Sequence, residues 1–224
     1  MPLQRETVAR AALHVVDEVG LDGLTMRRLA ADLEIQNQSL YWHFTNKQEL
    51  INCMAELMIA EAFAELQHPG SEQDWADWLT AFAHRFRRTM LAHRDGARIL
   101  AEADMSLSNF FEGLELALDV LLNAGFDENT ATGGVITVIH FILGNVFQVQ
   151  ADPSSRVDGE DEQSPHAPMV PFDEERFPRI AAVLHTSGVP SQASAEVQFE
   201  AGLSLILDGL RANLAKERSN GTSR

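Results

Sequence analysis

Apolar residues recur with the spacing of an α-helix along almost the whole chain, and this pattern constrains the fold more than any other feature. Between Arg5 and Val19, for example, they follow the i, i+3, i+4, i+7 repeat of an amphipathic helix. Alternating β patterns joined by Asn-Gly or Asp-Gly hairpin turns are missing, and β-branched residues rarely cluster. The sequence therefore predicts an all-α protein.

Composition narrows the class of protein. The 224 residues are 45% hydrophobic and 22% charged, which is typical of a globular chain with one large core or a small and a larger domain. The single cysteine, Cys53, cannot form an internal disulfide, which favours a reducing cytoplasm. No apolar run reaches the ~18 residues needed to cross a membrane, because polar side chains interrupt the best candidate, 133–149. We expect a cytoplasmic protein without a membrane partner.

The net charge of −16 argues at first against nucleic acid, but the charge is unevenly distributed. Residues 1–50 carry five basic and seven acidic side chains, so most of the negative charge lies in the rest of the chain. A nearly neutral N-terminal region can still bind DNA if its cations lie on one face. The acidic remainder would limit non-specific binding to phosphate.

The first 50 residues have the pattern of a helix-turn-helix unit. Gly20 is placed to end the first amphipathic helix, and Thr25 is a good N-cap for a short helix over 26–33. Three residues then lead into a second short helix over 37–44, and Asn46 and Glu49 have capping-box spacing. Two short helices behind a longer one predict a DNA-reading head whose second short helix enters the major groove.

The expected DNA contacts follow from this placement. Amides at Asn37 and Gln38 lie where side chains reach base edges, beside Ser39. Cationic side chains are placed to meet phosphates: Arg27, Arg28 and Lys47.

The aromatic residues of the second short helix allow two interpretations. Tyr41 and Trp42 could be core residues of a small helical unit or surface contacts to DNA. Neighbouring helical positions differ by ~100°, so both cannot face one core. His43 is equally open, as a phosphate donor or as a solvated position.

We predict a head over 1–47, a linking helix over 48–66 and a larger body over 67–217, followed by a disordered tail at 218–224. Within the body, proline and acidic residues predict a mobile loop at 151–171. The predicted helices of the body are 72–92, 95–102, 106–124, 127–150, 173–186 and 193–217. The fourth and the last of these are apolar enough to form either a homodimer interface or an intrachain core.

An enzyme is not expected. His84, His93 and His140 have no metal-ligand spacing, and no nucleophile or acid–base set converges. We predict no catalytic residue, no metal site and no cofactor. A helical adaptor that acts through protein–protein contacts remains the alternative to a DNA-binding protein.

The motifs Leu24–Ala30, Ser39–Phe44 and Asn46-Lys47 resemble the DNA-binding head of TetR-family repressors. Downstream, Leu91–Ala97, His140-Phe141 with Leu143-Gly144, and Gly202-Leu203 with Gly209-Leu210 are similar to the tetracycline-repressor branch. The resemblance implies an all-helical homodimer that leaves operator DNA when its body binds a small inducer. It places these residues on operator-contacting positions: Arg27, Asn37, Gln38, Tyr41, Trp42, His43 and Lys47. Because the second short helix opens differently from that branch, we do not expect the same operator.

The resemblance also implies where the inducer binds. The positions that fall on or beside the drug pocket are Phe82, Phe86, Leu100, Ala103, Met105, Leu116, Ile136, His140 and Gln148. For most of them the alternative is plain packing in the core. For His140 the alternative is a core histidine that is hydrogen-bonded. The branch binds its drug as a magnesium chelate through an imidazole and a carboxylate. Here those positions are Leu100 and Gln148, which are poor partners for hydrated Mg²⁺. We expect a largely apolar inducer rather than a magnesium–tetracycline chelate.

Overall fold

The computed structural model describes residues 4–64, 66, 74–104, 108–151, 173–187 and 192–221. All of the regular elements in these ranges are α-helices, which confirms the predicted fold class. They are α1 (Arg5–Gly23), α2 (Met26–Asp32), α3 (Asn37–Tyr41), α4 (Lys47–Phe63), α5 (Trp75–Leu91), α6 (Gly96–Glu102), α7 (Ser108–Ala124), α8 (Glu128–Ala151), α9 (Pro178–Ser187) and α10 (Gln192–Gly221).

The head is built from α1, α2 and α3, and local sequence signals set its boundaries. Gly20 interrupts α1 with φ 76° and ψ 166°, so the regular part of α1 ends at the predicted position. The Thr25 side chain accepts from the Arg28 N–H, and the Asn46 side chain accepts from the Glu49 N–H, as N-caps do. Glu49 bonds to the N–H of Thr45 rather than that of Asn46, so the capping box is only half formed.

The second short helix is shorter than predicted. It ends at Tyr41, and Trp42 and His43 form a turn instead of continuing to Phe44. The backbone N–H groups of His43 and Phe44 both bond to the carbonyl of Leu40, while the Arg5 guanidinium bonds to the carbonyl of His43. This capping explains why the chain leaves the helix early and still buries Phe44.

The body surrounds α4 and α5 with α7 and α8, and α10 packs along α8. An aromatic row passes through it: Trp78 and Phe86 both stack on Phe82, which also stacks on Phe63 of α4. Since α4 also packs along α1, the same helix contacts the head and the aromatic interior of the body.

Within the described residues, α8 is the one helix long and apolar enough to cross a membrane, judged by length and composition. A core helix passes the same test, and α8 packs against α5, α7 and α10. Part of its apolar surface nevertheless faces outward, including Ile136 and Phe147.

The later elements differ from prediction at their ends. A turn closed by Asp173 precedes α9, which begins at Pro178 because proline suits the first position of a helix. Since α10 continues to Gly221, residues 218–221 are helical rather than a disordered tail. Residues 152–171 of the predicted acidic loop, and Met105, lie outside the described residues.

Candidate nucleic-acid interface and effector cavity

The turn between α2 and α3 has a defined hydrogen-bonding pattern. The Ile35 N–H bonds to the Ala30 carbonyl, and the Glu34 N–H bonds to the Ala31 carbonyl. This is the Schellman arrangement, in which the residue after the C-cap adopts a left-handed conformation. Glu34 does so with φ 54°, although it is not a glycine. The strain is concentrated at one exposed position of the turn.

Replacing Glu34 by glycine should therefore stabilise the protein by about 0.5–1 kcal/mol. Glycine removes the steric cost of the left-handed conformation, partly offset by its larger entropy in the unfolded chain. Thermal or denaturant unfolding measures the change. Glu115→Gly, at an exposed interior position of α7, is the control and should destabilise by about 1 kcal/mol. A loss of stability in both variants would contradict the assignment of strain to Glu34.

The α3 helix presents a polar surface and buries only its inner side. Leu40 and Phe44 are fully buried, whereas the predicted base-reading residues Asn37, Gln38 and Ser39 are exposed. Tyr41 is 48% exposed and Trp42 is 83% exposed, so neither is a core residue of the head. His43 is half-buried. The surface interpretation of the two aromatic residues is the one that fits the structure.

The predicted phosphate-contacting cations lie in different surroundings. Arg27 and Arg28 are exposed in the first turn of α2. Lys47 is half-buried, and its Nζ donates to the carbonyl of Leu21 at 2.8 Å, so it also joins the start of α4 to the end of α1. Sequence reasoning did not single out Arg5, which contacts the turn after α3 and lies 4.3 Å above the Phe44 ring.

The connection between α5 and α6 holds the end of α1 through hydrogen bonds. The Asp95 carboxylate accepts from the Leu21 N–H at 2.6 Å, directly after the interruption at Gly20. The Asp17 carboxylate accepts from the Arg94 N–H at 3.0 Å and lies 3.1 Å from His93 Nδ1. The head is thus attached to the body at its α1 end by polar contacts, which are directional and hold one orientation.

Arg98 of α6 adds an ion pair at this junction. Its guanidinium donates to both carboxylate oxygens of Asp22, at 2.6 and 2.9 Å, and these hydrogen bonds hold the pKa of Asp22 below its ordinary value of 3.8.

Arg98→Gln should therefore raise the pKa of Asp22 toward its ordinary value, as an NMR pH titration of the Asp22 carboxyl would show. Because the pKa of Asp22 is lower in the folded chain than in the unfolded chain, the ion pair stabilises the fold at pH values above the unfolded-state pKa. This stabilisation is lost as the pH falls through the folded-state pKa. The effect on stability should be small and reduced by salt, because Asp22 is exposed. An unchanged Asp22 pKa in the variant would show that Arg98 is not the cause.

The connection between α5 and α6 is also held from the body side, by Gln150 of α8. Its side-chain amide donates to the carbonyls of Met90 and His93 and accepts from the Ala97 N–H, at 2.7 to 3.1 Å. A residue near the C-terminus of α8 thereby orders the same loop that holds α1.

The interior of the body contains an apolar cavity of about 10 Å³, room for roughly one water molecule. Four helices line it through apolar residues: Ile59, Phe63, Phe82, Phe86, Phe110, Gly113, Leu114, Ala117, Val135 and Ile139. A larger groove of about 520 Å³ lies at the surface between α4 and α7, and Leu116 lines it. Phe63 and Gly113 line both spaces, so they stand between the groove and the cavity.

Among the described residues, the predicted inducer-binding residues are divided between these two spaces, the partly buried edge of the core and the surface of α8. Phe82 and Phe86 line the cavity and Leu116 lines the groove, while Leu100 and Ala103 are half-buried against the core. The three on α8 (Ile136, His140 and Gln148) are exposed and line neither space. The sequence pattern does not distinguish α8 residues that line the cavity from α8 residues on the outer surface, because inward and outward positions of this helix are both apolar. Periodicity along α4 also gives no sign that Ile59 and Phe63 reach the cavity.

A helix-turn-helix head with a polar, aromatic recognition surface, attached to a helical body with an apolar cavity, defines a DNA-binding regulator that responds to a ligand. Comparison with known proteins assigns the family. Residues 9–54 match the model described as bacterial regulatory proteins of the tetR family, and residues 68–214 match that of the tetracyclin repressor-like C-terminal domain. The chain belongs to the TetR family.

Individual relatives cover nearly the whole chain. The tetracycline repressor of class A from transposon 1721 of Escherichia coli is 37% identical over 210 residues, which are 93% of this chain and 90% of the relative. A possible TetR-family regulator from Streptomyces coelicolor A3(2) has a TM-score of 0.78 at 31% identity, covering 93% and 99% of the two chains. ActR from Streptomyces coelicolor, solved in complex with actinorhodin, has a TM-score of 0.78 at 27% identity, covering 96% and 99%. The protein is a ligand-responsive DNA-binding transcriptional repressor.

Proposed function

We propose that two copies of this chain bind a palindromic operator in the cytoplasm and leave it when an apolar aromatic inducer enters the body. The observation that carries this proposal is the α3 surface, where the exposed Trp42 and Tyr41 stand beside exposed amides. Two recognition helices separated by one turn of DNA, ~34 Å, would read successive major grooves. The contacts are with DNA and a small molecule, and the proposal includes no catalytic step.

The outward faces of α8 and α10 support the homodimer. Ile136 and Phe147 of α8 are exposed, and Leu205 of α10 is 75% exposed. An open groove of about 460 Å³ runs between the two helices. Apolar side chains on adjacent helices favour burial against a second copy, and a two-fold axis would bring four helices together.

The chemistry of the cavity supports an apolar inducer. Aromatic and aliphatic side chains line it, and no charged residue is among the lining residues. Leu100 cannot ligate a metal, and Gln148 is a neutral amide, so a magnesium chelate has no carboxylate or imidazole at these two positions. We infer that no metal ion accompanies the inducer.

The small size of the cavity suggests how a ligand would reach the head. An inducer larger than a few atoms must separate the helices around Phe63, because the present cavity holds only about one water. Phe63 and Ile59 belong to α4, whose N-terminal end bonds to α1 through Lys47. Displacing α4 would change the spacing of the two recognition helices. Substantial release requires the inducer to prefer the non-binding state by several kcal/mol.

Fluorescence anisotropy on a labelled duplex from the intergenic region beside the gene tests the proposal, at two salt concentrations and against a scrambled duplex. We expect binding that weakens with salt and prefers the intergenic sequence. Equal affinity for both duplexes would instead favour an adaptor that acts through protein contacts.

The inducer class is tested on the same complex. Actinorhodin, the ligand in the ActR complex, serves as the aromatic probe, and tetracycline is added with Mg²⁺ or with EDTA. Release by actinorhodin that is insensitive to EDTA supports the proposal. Release by tetracycline only when Mg²⁺ is present would contradict the proposal that no metal ion accompanies the inducer. The repressor assignment would stay intact.

A further inference from the structure

A histidine and two carboxylates from distant parts of the sequence meet on the outer side of the body. His84 lies on α5, and Glu196 and Glu200 lie one helical turn apart on α10. One potential ligand atom from each residue lies within 4.8 Å of the other two. We propose that these three side chains bind one divalent transition-metal ion per chain, with Zn²⁺ as the representative ion.

The spacing suits such an ion. His84 Nε2 and Glu200 Oε1 are 3.3 Å apart. Two ligands at ~2.0–2.1 Å from a tetrahedral zinc ion are themselves separated by about 3.3–3.4 Å, so the ion-paired His84 and Glu200 already have the ligand-to-ligand separation of such a site. Glu196 needs only a small side-chain movement to complete three protein ligands. Water would fill the fourth position, as it does in open zinc sites.

The surroundings hold one of the two carboxylates, that of Glu196, in place and leave the group negatively charged. Arg87, which is 9% exposed, bonds to the Oε2 atom of Glu196 at 2.5 Å. Its guanidinium is fixed in turn by Asn145 of α8 and by stacking 4.6 Å above the Phe199 ring. Hydrogen bonds that orient a carboxylate ligand are a recurring feature of metal sites. Two carboxylates and one guanidinium leave a net negative charge that favours a cation.

The ligand set selects the class of ion. An imidazole nitrogen with two carboxylates favours Zn²⁺, Ni²⁺ or Co²⁺, whereas Mg²⁺ and Ca²⁺ prefer oxygen ligands alone. The site faces away from the cavity, since Phe82 and Phe86 are the α5 residues that line that space. Metal binding here is therefore a separate property from inducer binding, and it would join α5 to α10.

Isothermal titration of the full, tag-free, EDTA-treated chain with ZnCl₂ tests this inference, with MgCl₂ as the comparison ion. We expect one Zn²⁺ per chain, a higher melting temperature with Zn²⁺ than without it, and no such shift with Mg²⁺. His84→Gln and Glu200→Gln should each weaken Zn²⁺ binding by at least about tenfold. Both side chains are substantially exposed, at 38% and 50%, so neither substitution should unfold the chain.

The control is His185→Gln. His185 Nε2 lies 3.4 Å from Glu174, so this residue forms a similar histidine–carboxylate pair elsewhere on the surface, outside the three-residue group. The control should bind Zn²⁺ like the wild-type chain. Absence of Zn²⁺ binding by the wild-type chain, or unchanged affinity in both His84→Gln and Glu200→Gln, would overturn the proposal.

Discussion

Replacing Trp42 by alanine should weaken operator binding about tenfold to a hundredfold while the chain stays folded. Trp42 is 83% exposed at the end of α3, and its neighbours Tyr41 and His43 share the same turn. Loss of a side chain that contacts base edges costs about 1–3 kcal/mol of specific binding, and each 1.4 kcal/mol is a factor of ten. Anisotropy titration on the operator duplex gives the affinity.

The free energy of unfolding should change by less than about 0.5 kcal/mol in Trp42→Ala, because substitutions at exposed positions away from structural features have small effects. Phe111→Ala is the matched control. Phe111 is also an exposed aromatic residue, but it lies on α7 and belongs to neither the head nor the cavity lining. The control should keep full operator affinity. If Trp42→Ala unfolds the head, the residue is structural. If the variant stays folded and binds DNA as tightly as the wild type, Trp42 is not a DNA contact.

Gly96→Ala should destabilise the protein by at least about 2 kcal/mol, a fall in melting temperature of ~4–8 °C. A methyl group at Gly96 would lie 2.0 Å from the backbone carbonyl oxygen of Met90. The obstacle is backbone, so it cannot rotate away, and the loop between α5 and α6 must shift. Operator binding should also fall, because Asp95 and Ala97 on either side of Gly96 bond to Leu21 and Gln150.

Helix propensity alone predicts the opposite sign for Gly96→Ala, since alanine favours helix over glycine by about 1 kcal/mol. Ala101→Gly, at an exposed position of the same helix, measures that contribution separately and should destabilise by about 1 kcal/mol. Differential scanning calorimetry of both variants decides between packing and propensity. A stabilised Gly96→Ala protein would show that the loop tolerates the methyl group.

Features that depend on a few neighbouring residues were predictable from the sequence. The caps at Thr25 and Asn46 and the interruption at Gly20 are local events, in which a side chain or a glycine satisfies backbone groups within one turn. The exposed amides of α3 follow from the same periodicity. The early end at Tyr41 was missed because the carbonyl of His43, in the turn after α3, is bonded by Arg5, 38 residues away.

The sequence by itself determined the all-helical fold, the helix-turn-helix head and the family, because capping, periodicity and short motifs depend on residues that are close together in the sequence. Tertiary structure alone decided which apolar side chains enclose the cavity, since α8 has apolar residues on both its inward and outward faces. It also decided that His84 meets Glu196 and Glu200, more than a hundred residues away. Such contacts depend on how α5 and α10 pack. Helical periodicity shows which face of a helix is buried, but it does not show which other helix packs against that face.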